Sequence, residues 1–293
     1  MTMNMNFQEI VRMALAEDLG DGDHTSLATI KAGAKGKAEL LIKGNGVLAG
    51  MPVAREVFRQ VDPDLQMKEL IEDGRFVEIG EVAFMVEGDI RSILAAERTV
   101  LNFMQRLSGI ATETYRITRI LKGTKAKVLD TRKTTPGLRE LEKYAVRLGG
   151  GENHRMGLYD MIMIKDNHVD YARGIEPAVR AVEAYQKRRK TTLRVEVEVR
   201  NFEELLDAIN SEKVDRIMLD NFSAEDVASA VQVVAGRFET EASGGITLDN
   251  VRRYAETGVD YISMGSLTHQ IKSLDMSLKA IISPFYDFSS VRS

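Results

Sequence analysis

After Lys122, short apolar runs alternate with amphipathic stretches, and this rhythm restricts the fold more than any other feature of the chain. The runs are 126–130, 160–165, 194–199, 215–220, 237–243 and 260–265. Helical spacing marks 138–148, 174–188, 202–210, 224–235 and 248–256. Strands separated by helices return in the same direction and pair in parallel. Nothing in this repeat resembles a nucleotide-binding first turn, so a barrel is favoured over a doubly wound sheet. A full eight-unit barrel takes about 250 residues. This half is shorter, so the barrel is expected to be incomplete.

The first part of the chain reads differently. A short helix is predicted over 7–19, with Ile10, Val11, Leu15 and Leu19 on one face. Strands are predicted at 37–42, 46–49, 65–70 and 83–87, with a helix near 52–60. A long helix follows from about Ser92 to Lys122, striped by Ile93, Val100, Leu101, Met104, Leu107 and Ile110. Gly109 within it either bends the helix or admits a close neighbour. The closely spaced aspartates of Asp18–Thr25 read as turn chemistry, because the calcium-loop pattern is incomplete.

Composition removes several classes of function. The absence of cysteine excludes disulfides, thiolate metal sites and a cysteine nucleophile. The four histidines, His24, His154, His168 and His269, lack zinc-type spacing. A formal charge of -4 and no basic arm argue against nucleic acid as a partner. The N-terminus lacks the uncharged core of a signal peptide, and no apolar run approaches a membrane span, so a cytoplasmic location is expected.

Against this acidic background, cations concentrate between Asp130 and His168 in short polar loops. Barrel sites lie at the C-terminal ends of the strands. The first run leads into Arg132 and Lys133, and the second into Lys165. The third, Val195-Glu196-Val197-Glu198-Val199, alternates faces, so the valines pack outward and both glutamates point inward. Lys165 and Glu241 share that inward parity. Inward carboxylates are costly unless cations, metal or donors meet them, so a buried ion network is expected. The fourth run ends at Asp220-Asn221, the fifth at Ser243-Gly244-Gly245, and the sixth at Met264-Gly265-Ser266. Glycine lets backbone N–H groups approach an anion, and late barrel strands often hold phosphate this way. By periodicity alone, Arg98 reads as a surface arginine of the long helix.

At these residues the chain resembles the quinolinate phosphoribosyltransferases, the carboxylating nicotinate-nucleotide pyrophosphorylases of NAD biosynthesis. The likeness runs from Glu17-Asp18-Leu19-Gly20 through Glu97-Arg98-Thr99, Leu107–Thr112 and Thr131–Gly137. It continues through Glu142–Val146, Gly149–Arg155, Ile164–His168, Glu196–Val199, Leu219–Asn221, Ser243–Ile246 and Gly258–Asp260. The resemblance implies an α/β protein: an N-terminal α/β sandwich over 1–112, then an incomplete parallel α/β barrel over 113–269. A tail, 270–293, would pack on the sandwich. It implies transfer of a phosphoribosyl group from 5-phosphoribosyl-1-pyrophosphate (PRPP) to quinolinate with loss of carbon dioxide, aided by magnesium. Family members are dimers or larger assemblies, so Arg98 is expected to enter the neighbouring subunit's site.

Carried onto this sequence, the catalytic set is Lys133, Lys165, Glu198 and Asp220. Arg98, Arg132, His154, Arg155 and Lys165 would hold the dianion, with Lys133 and Lys165 also facing pyrophosphate. Thr131, Ser243, Gly244, Gly245, Met264, Gly265 and Ser266 complete the substrate contacts, the glycine loops taking the ribose 5-phosphate. Glu198 and Asp220 would meet ribose hydroxyls or magnesium, directly or through substrate and water. Glu196 and Glu241 are read as orienting Lys165. Two rivals stand beside this reading. A transferase for nicotinate or another pyridine acid should need fewer cations. A non-catalytic binder of phosphorylated metabolites could lose Lys133, Lys165 or Glu198, and all three are present.

Overall fold

A computed structural model describes residues 7–211 and 213–282, so residues 1–6 and 283–293 of the expected sandwich and tail lie outside the described residues. The chain forms two compact units, and the division falls inside the long helix, between Glu113 and Thr114. The first half of the chain supplies α1 (Gln8–Leu19), α2 (His24–Thr29), β1 (Lys35–Ile42), β2 (Gly46–Val47), α3 (Met51–Val61), β3 (Gln66–Glu69), β4 (Phe76–Val77) and β5 (Val82–Asp89). Then come α4 (Ile90–Leu121), β6 (Lys127–Leu129), α5 (Arg139–Leu148), β7 (Ile162–Ile164), α6 (Asp166–Ala172), α7 (Ile175–Arg189) and β8 (Val195–Val199). The chain continues through α8 (Phe202–Asn210), β9 (Arg216–Asp220), α9 (Ala224–Val234), β10 (Glu239–Ser243), α10 (Val251–Ala255), β11 (Tyr261–Ser263), α11 (Ser266–His269) and β12 (Met276–Ala280).

The first unit is built on an antiparallel sheet of order β12-β1-β5-β3. Ala38, Leu40 and Ile42 of β1 alternate into its core, beside Val57, Phe58, Phe84 and Val86. The polar turn after α1 ends in a helix cap. The Asp23 carboxylate accepts the Ser26 N–H at 3.0 Å and starts α2. Hydroxyls of α4 supply acceptors to β2 and the residues after it: Thr112 Oγ1 takes the Val47 N–H at 2.9 Å, and Ser108 Oγ takes that of Ala49 at 2.8 Å.

Helix α5 falls within the stretch 113–269 expected to form the barrel, yet Pro136–Gly149 groups with the first unit. Polar contacts explain why. Buried Glu142 receives the Arg106 guanidinium at 2.7 Å, and Tyr144 donates to Asp73 at 2.9 Å. Asp73 also accepts the Gly50 and Met51 N–H groups, capping α3, and burial pushes its carboxyl above the usual range. The segment from Ile271 also joins this unit, through β12 on the edge of β1.

The second unit holds six parallel strands in the order β6-β11-β10-β9-β8-β7. Strands β6 and β7 are consecutive in the chain but lie at opposite ends of the sheet, so the barrel is incomplete between them. The edge of β6 is partly covered by a parallel bridge from Leu129 to Glu152. Register fixes which side chains share a face. Met163 pairs with Glu196, Glu196 with Arg216, and Arg216 with Glu239. Glu198 pairs with Met218, Met218 with Glu241, and Glu241 with Tyr261. These form the inner face, and Val195, Val197, Val199, Ile217, Leu219 and Ala242 pack on the other. No helix among the described residues is long and apolar enough to cross a membrane.

Gly109 serves close packing. A Cβ there would lie 2.4 Å from the Lys272 carbonyl oxygen and 3.0 Å from Ser273 Cα. Alanine would gain about 1 kcal/mol of helix propensity. It would lose about 1–3 kcal/mol or more to overpacking against backbone that cannot turn aside. Gly109→Ala should therefore lower the thermal midpoint, measured by calorimetry. An unchanged or raised midpoint would show that the segment after α11 yields freely.

Candidate active site

The C-terminal ends of the six strands open onto a cavity of about 820 Å³. Its walls include Thr131, Arg132, Lys133, His154, Arg155, Lys165, Glu198, Asp220, Ser243, Gly244, Gly245, Met264, Gly265 and Ser266. Every candidate predicted from the second unit's sequence thus reaches one space. Arg98 is different: it stands exposed on α4 in the first unit.

Each side chain is placed by local structure. Lys165 precedes α6 in extended conformation, and its N–H donates to His168 Nδ1 at 3.0 Å, which fixes the helix start. Its ammonium pairs with the buried Glu198 carboxylate on the neighbouring strand. Glu198, rather than Glu196 or Glu241, is therefore the ion-pair partner of Lys165. The backbone of Lys133 is held on both sides: its N–H donates to Thr131 Oγ1 at 3.0 Å, and its carbonyl accepts from Thr268 Oγ1 at 2.8 Å. Asp220 accepts an amide hydrogen bond from Asn221 at 2.7 Å. Burial first, and then the nearby Glu198 charge, raise its carboxyl above the usual range.

Gly244 and Gly245 have φ of +94° and +62°, a region that L side chains rarely enter. A Cβ on Gly244 would sit 2.2 Å from Asn221 Oδ1, whereas one on Gly245 would meet nothing within 4 Å. The backbone here is bare and open, as an anion-binding loop requires. In the same cavity, the Arg155 guanidinium is made less basic by burial and then by the charge of Arg132. Two cations held close enough to repel are prepared for an anion between them.

A buried ion network reaches the cavity floor, where His154 and Glu241 line the space. Arg216 meets Glu241 at 2.8 Å and Glu239 at 3.0 Å, and its guanidinium carbon lies 4.0 Å from the Tyr261 ring centroid. His154 Nε2 lies 2.8 Å from Glu196 Oε2 and 3.6 Å from Glu241 Oε2. Ligating atoms of these three residues fall within 4.8 Å of one another, a spacing that would suit a metal. The ring orientation points to a proton instead. Nδ1 accepts the Arg155 N–H at 2.7 Å, so the neutral ring carries its hydrogen on Nε2, facing the carboxylates.

Sequence reasoning passed over several residues that line the cavity. Asp166, Asn221, Thr247, His269 and Gln270 are among them. His269 comes from α11, a helix too short to leave a periodic signal. Asn221 sat inside a quoted motif, and its left-handed φ of 58° beside Gly244 becomes evident only in three dimensions.

Burial pushes the carboxyls of both Glu196 and Glu241 up to about 7. Unfolding returns them toward the ordinary value of 4.5. The folded state therefore binds more protons between these limits, and this pair's contribution to stability falls as pH rises through that window. Glu241→Gln should flatten the decline in thermal midpoint between about pH 5 and about pH 7.5, relative to the unmodified protein. Identical slopes would mean that Glu241 is ionised throughout.

A parallel barrel whose strand ends combine a lysine–glutamate pair, two repelling arginines and bare glycine loops defines a class: proteins that bind small polyanions at the barrel mouth. Comparison with known proteins narrows it. Family models match residues 23–108 as the quinolinate phosphoribosyl transferase N-terminal domain and 110–279 as its C-terminal domain. The chain is 46% identical over 289 residues to a chloroplastic nicotinate-nucleotide pyrophosphorylase [carboxylating] of Oryza sativa subsp. japonica, covering 94% of this chain and 77% of that protein. It is 42% identical over 283 residues to a probable enzyme of the same name from Bacillus subtilis, covering 96% and 95%. Among solved structures, the nicotinate-nucleotide pyrophosphorylase from Francisella tularensis superposes with a TM-score of 0.89 at 42% identity, covering 94% and 95%. The chain belongs to the quinolinate phosphoribosyltransferase family.

Proposed function

We propose that the protein transfers the phosphoribosyl group of PRPP to the ring nitrogen of quinolinate with loss of carbon dioxide, yielding nicotinate mononucleotide and pyrophosphate for NAD biosynthesis. The observation that carries this reading is the cavity itself, in which Arg132, Lys133, Arg155 and Lys165, the Glu198 and Asp220 carboxylates and two glycine loops line one space. Quinolinate is a dianion, and Arg132, Arg155 and Lys165 supply positive charge where its carboxylates lose water. The walls around His154 complete that pocket. The bare backbone of Ser243, Gly244 and Gly245, with Met264, Gly265 and Ser266, suits the ribose 5-phosphate. Lys133 and Lys165 face the departing pyrophosphate.

The quinolinate nitrogen is the nucleophile, so no protein nucleophile is required. As the bond to pyrophosphate breaks, positive charge develops on the ribosyl carbon, and the Glu198 and Asp220 carboxylates stabilise it. Once the ring nitrogen is quaternary, carbon dioxide leaves, the electron pair stays on the ring carbon beside the positive nitrogen that stabilises it, and a proton from water takes it up to complete the mononucleotide. Holding both anions in register contributes much of the rate.

Magnesium belongs to the same reading. The donor set fits it: Glu198 and Asp220 offer only oxygen atoms, and Glu198 raises the Asp220 carboxyl, a repulsion that a hard cation would relieve. When bound, the ion would offset negative charge on the diphosphate. We also assign the protein to the cytoplasm, a placement that subcellular fractionation tests.

We further propose that the assembly is at least a homodimer, in which the exposed Arg98 of one subunit serves the site of the other. Mixing tests this together with the catalytic role of Lys165. Lys165→Ala should reduce carbon dioxide release from quinolinate, PRPP and magnesium by about a thousandfold or more, as loss of a charge-stabilising group does. Heterodimers of Lys165→Ala and Arg98→Ala subunits should regain activity through one intact hybrid site. Normal turnover by Lys165→Ala would reject its role, and silent heterodimers would reject the shared site.

A further inference from the structure

The ion network at the cavity floor gathers two buried carboxylates around His154 and Arg216. Glu196 and Glu241 are both fully buried, and the guanidinium that pairs with Glu241, that of Arg216, is also shared with Glu239. Such an array is a poor source of stability, because well-packed apolar residues of similar volume often serve as well or better. What it supplies is direction. Nδ1 of the His154 ring accepts the Arg155 peptide N–H at 2.7 Å, and Nε2 lies 2.8 Å from Glu196 and 3.6 Å from Glu241. The backbone on the other side is tied as well, since Asp130 accepts the His154 N–H at 2.9 Å. The peptide that carries Arg155 is therefore clamped through the imidazole to the barrel floor.

We infer that Glu241 and Glu196, anchored by Arg216, are positioning residues that act through the His154 ring to aim Arg155 at the aromatic diacid. The inference rests on the reading given under Proposed function and adds the origin of its selectivity. Burial and then the neighbouring Arg132 act against the Arg155 charge, while the charges of Glu196 and Asp160 favour it. The guanidinium itself is held in part by the Met161 carbonyl, to which Nη1 donates at 3.2 Å, and the clamp fixes the peptide from which it extends. The clamp adds a chain of close contacts: Arg216 pairs with Glu241 at 2.8 Å, His154 Nε2 lies 2.8 Å from Glu196 and 3.6 Å from Glu241, and His154 Nδ1 accepts the peptide N–H of Arg155. His154 itself is almost fully enclosed, and its ring nitrogens face protein.

Glu241→Gln, His154→Gln and the double variant test this in the full-length protein. Steady-state turnover should show KM for quinolinate raised about tenfold in each single variant, with kcat and KM for PRPP changed by less than about twofold. Because the residues act in series, the double variant should be no worse than the poorer single variant. Calorimetric binding of phthalate, an unreactive ortho-diacid, should weaken in parallel with quinolinate KM. In the ligand-free protein, nitrogen-15 NMR should show the Nε2–H form of His154, and Glu241→Gln should perturb that signal. Equal rises in both KM values, or additive effects in the double variant, would overturn the inference. So would an unperturbed His154 signal in a folded Glu241→Gln variant. Should the unmodified protein neither bind phthalate nor turn over quinolinate, the substrate reading fails, and the NMR result still decides the His154 arrangement.

Discussion

Two carboxylates on the inner face of a parallel strand set the conditions for the rest of this barrel. Glu196 and Glu198 alternate with valines that pack outward, and the strand register leaves no choice about where the acids point. Their burial is costly in a medium that screens poorly. Each is met by a different group. Lys165 answers Glu198 at the mouth, while His154 answers Glu196 deeper down. The division separates two tasks on one strand: an exposed end that can meet substrate, and a buried end that orients what lies above it.

Charge is graded along the barrel axis as a result. Arg216 lies near the strand starts, among Glu239, Glu241 and the Tyr261 ring. The glutamates occupy the middle, and Arg132, Arg155, Lys133 and Lys165 ring the opening. The glycine loops after β10 and β11 complete the far wall with backbone instead of side chains. A ligand with negative charge at both ends, and a reacting centre that turns positive between them, matches this order. The family to which the chain belongs performs chemistry of that kind.

Much of this was legible in the sequence because it depends on period-two alternation and on strand ends, which a linear reading can locate. The inward parity of Glu196, Glu198 and Glu241 followed from the valines alone, and the resemblance named the residues of the cavity wall. Other features depend on distant partners. Glu142 and Tyr144 draw α5 toward Arg106 and Asp73, residues separated from it by long stretches of chain, so the strand–helix rhythm placed α5 with the wrong unit. The pairing of Lys165 with Glu198 was not legible, because parity tells which face a carboxylate occupies and not how high it sits. The His154 tautomer depends on one backbone N–H, which no motif reports.

The central claim is that the barrel mouth is built for an ortho-dianion rather than a single carboxylate. Calorimetric titration of the unmodified protein with quinolinate and with nicotinate tests it most directly. A second carboxylate paired with a desolvated cation should contribute about 2 kcal/mol or more, so quinolinate should bind at least about thirtyfold more tightly. Equal affinity for the two acids would contradict the account.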